Sequence, residues 1–176
     1  MIPSPHRRKA QKLARLSLLV SFGLALYGVE NFIPLPWGRV GLANLATLLA
    51  LLIFGGWEAF LVMGMRVFLG SLLFGGPLNP AFLLSLAGGV ASTSVMTLFL
   101  PLYPRVFSIV GISVWGALAH NLAQLLAAWF LLGRAAGLFG LLPFIPLISL
   151  GGGLIVGLLG WLIGSRLPGL EWQNHR

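Results

Sequence analysis

Cysteine and aspartate are both missing from this 176-residue chain, and glutamate occurs only at positions 30, 58 and 171. Without cysteine there is no disulfide, no thiol nucleophile and no Cys-ligated zinc. Histidine is nearly as sparse: His6 and His175 lie in the terminal segments and His120 stands alone. No metal site and no cofactor is expected from so scattered a set. Charged residues make up 8% of the chain, where a soluble domain carries roughly a quarter. The phosphate-cradling pattern Gly-x-x-x-x-Gly-Lys-Ser/Thr is absent as well, so any ATP energy has to come from another chain.

What the chain has instead is apolar surface. Hydrophobic residues account for 58% of it, and the mean hydropathy is +0.98. This is the composition of an integral membrane protein, and an all-α bundle is the expected fold class. At about 20 residues per crossing, six crossings nearly exhaust the length and leave no room for a soluble catalytic domain. Glycine, proline and charge divide the chain into spans at 13–33, 42–55, 57–75, 81–102, 108–132 and 141–164. The second is short and follows Pro34-Leu-Pro36-Trp-Gly-Arg-Val-Gly41, which cannot be regular helix because two prolines lack amide donors. A short or broken helix of this kind often lines a transport site. The basic-then-apolar N-terminus also looks like a signal peptide. No small-residue cleavage site closes it, and it reads as a retained first helix.

The net charge of +8 is better explained by lipid than by nucleic acid. Its largest cluster, Arg7, Arg8, Lys9, Lys12 and Arg15, adjoins the first span and reads as a cytoplasmic anchor facing anionic lipid. With the N-terminus inside, Arg105, Arg166 and Arg176 join it there, leaving Arg39 and Arg134 outside and Arg66 within span three. Residues 1–12 are then a basic cytoplasmic tail, 13–165 a six-span membrane domain and 166–176 a second cytoplasmic tail.

Against this background the polar residues at membrane depth stand out. His120, Asn121 and Gln124 interrupt the apolar fifth span; 120 and 124 are one turn apart and 121 lies about 100° round the helix. They are solute ligands on a cavity wall, interhelical glue, or part of a proton relay, and no Asp or Glu shares their span to extend a relay. Arg66 is costly at that depth unless paired or hydrated. Backbone carbonyls, His120, Gln124 or an anionic ligand group are its candidate partners. Glu30, Asn31, Arg39, Asn44 and Thr47 gather at the outer end, either as a solute pocket or as a Glu30–Arg39 pair pinning the loop. Trp37 is a lid or stacking group there, or an interfacial aromatic anchor. Glu58 is solvated at the inner surface or meets Arg105. Small residues recur every fourth position at Ser17, Ser21 and Ala25, and in Gly153-x-x-x-Gly157 and Gly160-x-x-x-Gly164. Such stripes serve internal packing or the docking of a partner helix.

Several of these motifs resemble one bacterial membrane family: Glu30-Asn-Phe-Ile-Pro-Leu-Pro36, Gly41-Leu-Ala-Asn44, Glu58-Ala with Arg66, Gly70-Ser71, Ser85-Leu-Ala-Gly-Gly89, and the run from Phe107 to Gln124. The family is the Gx transporter family, also called heptaprenyl diphosphate synthase component I. The resemblance spans about residues 15 to 130 and is most specific in span five. Its layout is similar to the S components of energy-coupling-factor vitamin transporters. That likeness implies six helices, a solute held near the outer face, and docking through a membrane coupling subunit onto cytoplasmic ATPases. It also implies that Ser17, Ser21 and Ala25 form the docking stripe. The synthase name implies chemistry this chain cannot carry alone, since prenyl diphosphate synthases hold magnesium on Asp-rich motifs.

The expectation is therefore a non-enzymatic, solute-binding subunit in the bacterial cytoplasmic membrane, contacting lipid, a small solute and energising partners, but no nucleic acid. Asn44, Arg66, His120, Asn121 and Gln124 are the expected ligands, with Glu30, Asn31, Trp37 and Arg39 at the mouth. Arg66, and the scarcity of acidic residues around it, argue against a cationic solute. The alternatives are a membrane accessory to polyprenyl or quinone synthesis and a structural subunit of a larger complex.

Overall fold

Six α-helices and two short 3-10 segments carry the chain, with no strand among the described residues. The computed structural model describes residues 4–32, 41–76 and 79–166, without the side chains of residues 5, 31 and 32. The helices are α1 (Pro5–Phe32), α2 (Asn44–Phe54), α3 (Gly56–Phe74), α4 (Pro80–Phe99), α5 (Ile109–Leu131) and α6 (Ile145–Arg166). All except α2 are long and apolar enough to cross a membrane. Exposed apolar side chains occur on each of these five, among them Leu18, Phe68, Leu98, Phe130 and Trp161. The result is an all-α membrane bundle with an oily outer surface.

The exception, α2, is the core of the bundle. Its 11 residues rise about 16 Å, half of what a bilayer crossing needs. Every residue from Leu45 to Leu52 is buried, which is the fate of a helix apolar all round. Leu48 and Leu51 belong to one apolar cluster with Val62 of α3, Met96 of α4, Ile112 of α5 and Val156 of α6. The expected short second helix is thus present as a half-length helix wrapped by the others. Gly55, with φ of 106°, makes the turn into α3, a conformation that side chains other than glycine's resist.

Two starts differ from the sequence expectation. Residues 5–12, expected as a tail, form the opening turns of α1, since Pro5 suits a first turn and Arg, Lys, Ala and Gln propagate helix. At 28 residues α1 is about 42 Å long, so its basic turns extend beyond the roughly 30 Å of hydrocarbon. The last helix starts at Ile145 rather than 141, behind a 3-10 segment at Ala136–Leu141. Tight three-residue turns persist up to it: the amides of Leu142, Phe144 and Ile145 bond to the carbonyls of Phe139, Leu141 and Leu142, and Pro143 has no amide to give. The starts of α4 and α5 are fixed by caps: Asn79 Oδ1 accepts from the Phe82 amide at 2.6 Å, and Ser108 Oγ from the Gly111 amide at 3.0 Å.

The glycines of α6 serve close packing inside the bundle. A Cβ on Gly153 would stand 2.5 Å from Val114 Cα, and one on Gly157 2.7 Å from Val110 Cα. At Gly160 it would meet Leu48 of α2 at 2.8 Å. Lys12 of α1 and Glu58 of α3 form an ion pair at 2.5 Å. This pair marks one end of the bundle, which Arg105 and Arg166 share by helix order.

Candidate functional site

From Gly56 to Arg66, α3 rises about 15 Å, and α2 covers the same height between Phe54 and Asn44. Because the two helices meet at Gly55, Arg66 and the start of α2 stand at the same level, deep in the bundle. The contact follows: Arg66 Nη2 donates to Asn44 Oδ1 at 3.1 Å. Arg66 is 4% exposed. Room for it comes from α1, where a Cβ on Gly23 would lie 2.9 Å from Arg66 Cδ. The first two amides of α2 bond to the carbonyls of Gly41 and Leu42, and the positive end of its dipole adds to the field of the guanidinium.

In front of this pair lies a cavity of about 230 Å³, walled by Tyr27 and Glu30 of α1, Asn44 of α2, Arg66 of α3, Ser85 of α4, and His120 and Gln124 of α5, among others. It sits toward the end of the bundle opposite the Lys12–Glu58 pair. Glu30 Oε1 accepts from the Leu42 amide at 2.5 Å, tying the end of α1 to the approach to α2. Tyr27 packs on Phe74 with ring centroids 5.7 Å apart. On the far wall, Gly88 of α4 brings His120 and Gln124 close. A Cβ there would stand 2.8 Å from His120 Nδ1 and 2.9 Å from Gln124 Cγ. His120 Nδ1 is buried without a well-formed hydrogen bond among the described residues.

The predicted site residues therefore separate. Asn44, Arg66, His120, Gln124 and Glu30 share one cavity. Asn121 does not line it. Its Nδ2 donates to Ser149 Oγ of α6 at 2.9 Å, the geometry of interhelical glue. Trp37, Arg39 and the Asn31 side chain lie outside the described residues, as does the proposed Glu30–Arg39 pair. Glu58 meets Lys12 rather than Arg105, because α1 continues far enough to run beside the start of α3. Ser17, Ser21 and Ala25 are exposed on the outside of α1.

Tyr27, Ser85, Gly23 and Gly88 are site residues that sequence reasoning passed over. Ser85 and Gly88 were legible only as parts of the Ser85-Leu-Ala-Gly-Gly89 motif. Behind Asn44, a chamber of about 20 Å³ is lined by Ser92 and Ser113 and has the size of a single water. No three His, Asp, Glu or Cys side chains come together as a metal site among the described residues. A second cavity, about 660 Å³ and walled mainly by apolar residues such as Leu52, Phe54 and Leu100, lies at the α2–α3 turn.

A family model described as heptaprenyl diphosphate synthase component I matches residues 19–163. That is most of the chain, and the chain belongs to this family. No curated protein and no solved structure matches it.

Proposed function

Taking membership of the heptaprenyl diphosphate synthase component I family as premise, we propose that this multi-pass membrane protein is the solute-binding subunit of an uptake system. It captures a small polar solute in the cavity walled by Arg66, Asn44, His120 and Gln124, does no chemistry itself, and is energised by partner subunits. The observation that carries this reading is the buried Arg66–Asn44 pair at the start of a half-length helix, facing a cavity that several polar side chains line. A guanidinium at that depth costs several kcal/mol without compensation, and half-helix N-termini at mid-depth are a recurrent way of holding anionic solute groups. At about 230 Å³ the cavity falls below the roughly 300–1,000 Å³ of drug-sized ligand pockets and suits a small solute.

The location of the cavity supports capture from outside. It lies away from the end bearing Lys12, Arg105 and Arg166, which the positive-inside rule assigns to the cytoplasm of a bacterial inner membrane. The exposed Ser17, Ser21 and Ala25 stripe on α1 is the proposed seat of a coupling subunit, since small residues let helix backbones approach closely. Affinity purification in mild detergent tests the assignment. Recovery of a cytoplasmic ATPase pair with a membrane coupling subunit is the expected result. Recovery of a soluble prenyl synthase alone would replace this reading with an accessory role in polyprenyl synthesis, which the family's description favours.

A further inference from the structure

We infer that the solute of this cavity is dipolar, presenting an anionic group to Arg66 and the start of α2 and a protonated nitrogen to Glu30. This rests on the solute-binding reading above and narrows it to a chemical class. Glu30 is 7% exposed, so nine-tenths of it is removed from solvent. One carboxylate oxygen is held by the Leu42 amide. The other, Oε2, accepts no hydrogen bond from the described residues, and Glu30 lines the cavity. Glu30 therefore brings to the cavity wall an acceptor that can take a charged donor.

The two charges sit at different heights. Gly23 lies against the Arg66 side chain, and Glu30 is seven residues further along α1, about 10 Å of rise. They thus meet different ends of one solute. A plain anion satisfying Arg66 would put like charge in a small cavity with a buried carboxylate, and a plain cation would oppose the guanidinium. A molecule carrying both signs complements both walls. His120 and the Gln124 side chain supply further polar contacts between them. The sequence argues against a cationic solute, which a dipolar one is not, and the place of Glu30 on the cavity wall adds the positive group.

Native mass spectrometry of protein extracted gently from its host membrane, with fragmentation of the retained molecule, tests the inference. The expected molecule is small and carries both a basic nitrogen and a carboxylate or phosphate. Its occupancy falls about tenfold or more in Glu30→Gln, a variant that keeps the acceptor for the Leu42 amide, and falls likewise in Arg66→Gln. Asn121→Ala, which touches α6 rather than the cavity, retains it. A retained molecule without a basic nitrogen, or undiminished occupancy in a folded Glu30→Gln, overturns the dipolar assignment and leaves the solute-binding function standing. If Glu30→Gln does not fold, the composition of the wild-type molecule decides alone. An empty wild-type protein overturns both.

Discussion

Arg66, midway along α3, donates from Nη2 to Oδ1 of Asn44, the first residue of α2, at 3.1 Å. The bond joins the deepest cation of the bundle to the start of its innermost helix. It fixes the guanidinium at the cavity floor while α1 makes room beside it at Gly23. Position and charge are thereby set before a solute arrives, which reduces the cost of ordering on binding.

Asn44→Ala removes this acceptor from a buried charge. The expected loss is about 1–3 kcal/mol of stability, together with loss of the retained solute. Asn44→Asp restores an acceptor and is expected to recover most of the stability. Thermal unfolding in detergent reads the first effect and native mass spectrometry the second. Wild-type stability and occupancy in Asn44→Ala would show that the bond positions nothing.

Gly88→Ala tests the far wall. The added methyl would stand under 3 Å from His120 and Gln124, and overpacking of this kind costs about 1–3 kcal/mol. The two side chains would be pushed out of place, so solute retention is expected to drop. Gly64 is the control, because a Cβ there meets nothing within 4 Å. Gly64→Ala is expected to be neutral or to stabilise by up to about 1 kcal/mol, with retention unchanged.

Much of this was written in the sequence. The five long spans and the short second one follow from length, hydropathy and the prolines before Asn44. Helical geometry already turned Asn121 about 100° from His120 and about 60° from Gln124. What it could not say is which neighbour stands on each side of α5. That depends on packing order, which puts Gly88 of α4 against one face and Ser149 of α6 against the other. The Arg66–Asn44 partnership was hidden for a similar reason. Arg66 was recognisable as deep, but Asn44 was expected at the outer end with Glu30, and their common height appears only once α2 is seen to begin at mid-bundle.

The Asn121–Ser149 bond carries a prediction about stability alone. In a double-mutant cycle of Asn121→Ala and Ser149→Ala, the coupling is expected at about 0.5–1.5 kcal/mol, the range of interhelical hydrogen bonds in membranes. Thermal unfolding of the four proteins gives the value. Solute retention should be the same in all four, and a selective loss in Asn121→Ala would return Asn121 to the binding residues.

Absence of cysteine makes the orientation directly testable, because every single-cysteine variant reports one site without background. Arg105 and Arg134 are both exposed and lie in connections at opposite ends of the bundle, before and after α5. Basic residues crowd the end that Arg105 shares with Lys12, so that end should face the cytoplasm. A membrane-impermeant maleimide is expected to label Arg134→Cys in intact cells and Arg105→Cys only after permeabilisation. The reverse pattern would place the cavity on the cytoplasmic side and turn a capture subunit for uptake into one that loads from within. Glu58→Gln offers a check at the inner end. It removes an ion pair whose lysine is half exposed, so stability should fall by less than about 1 kcal/mol, with a smaller loss in high salt.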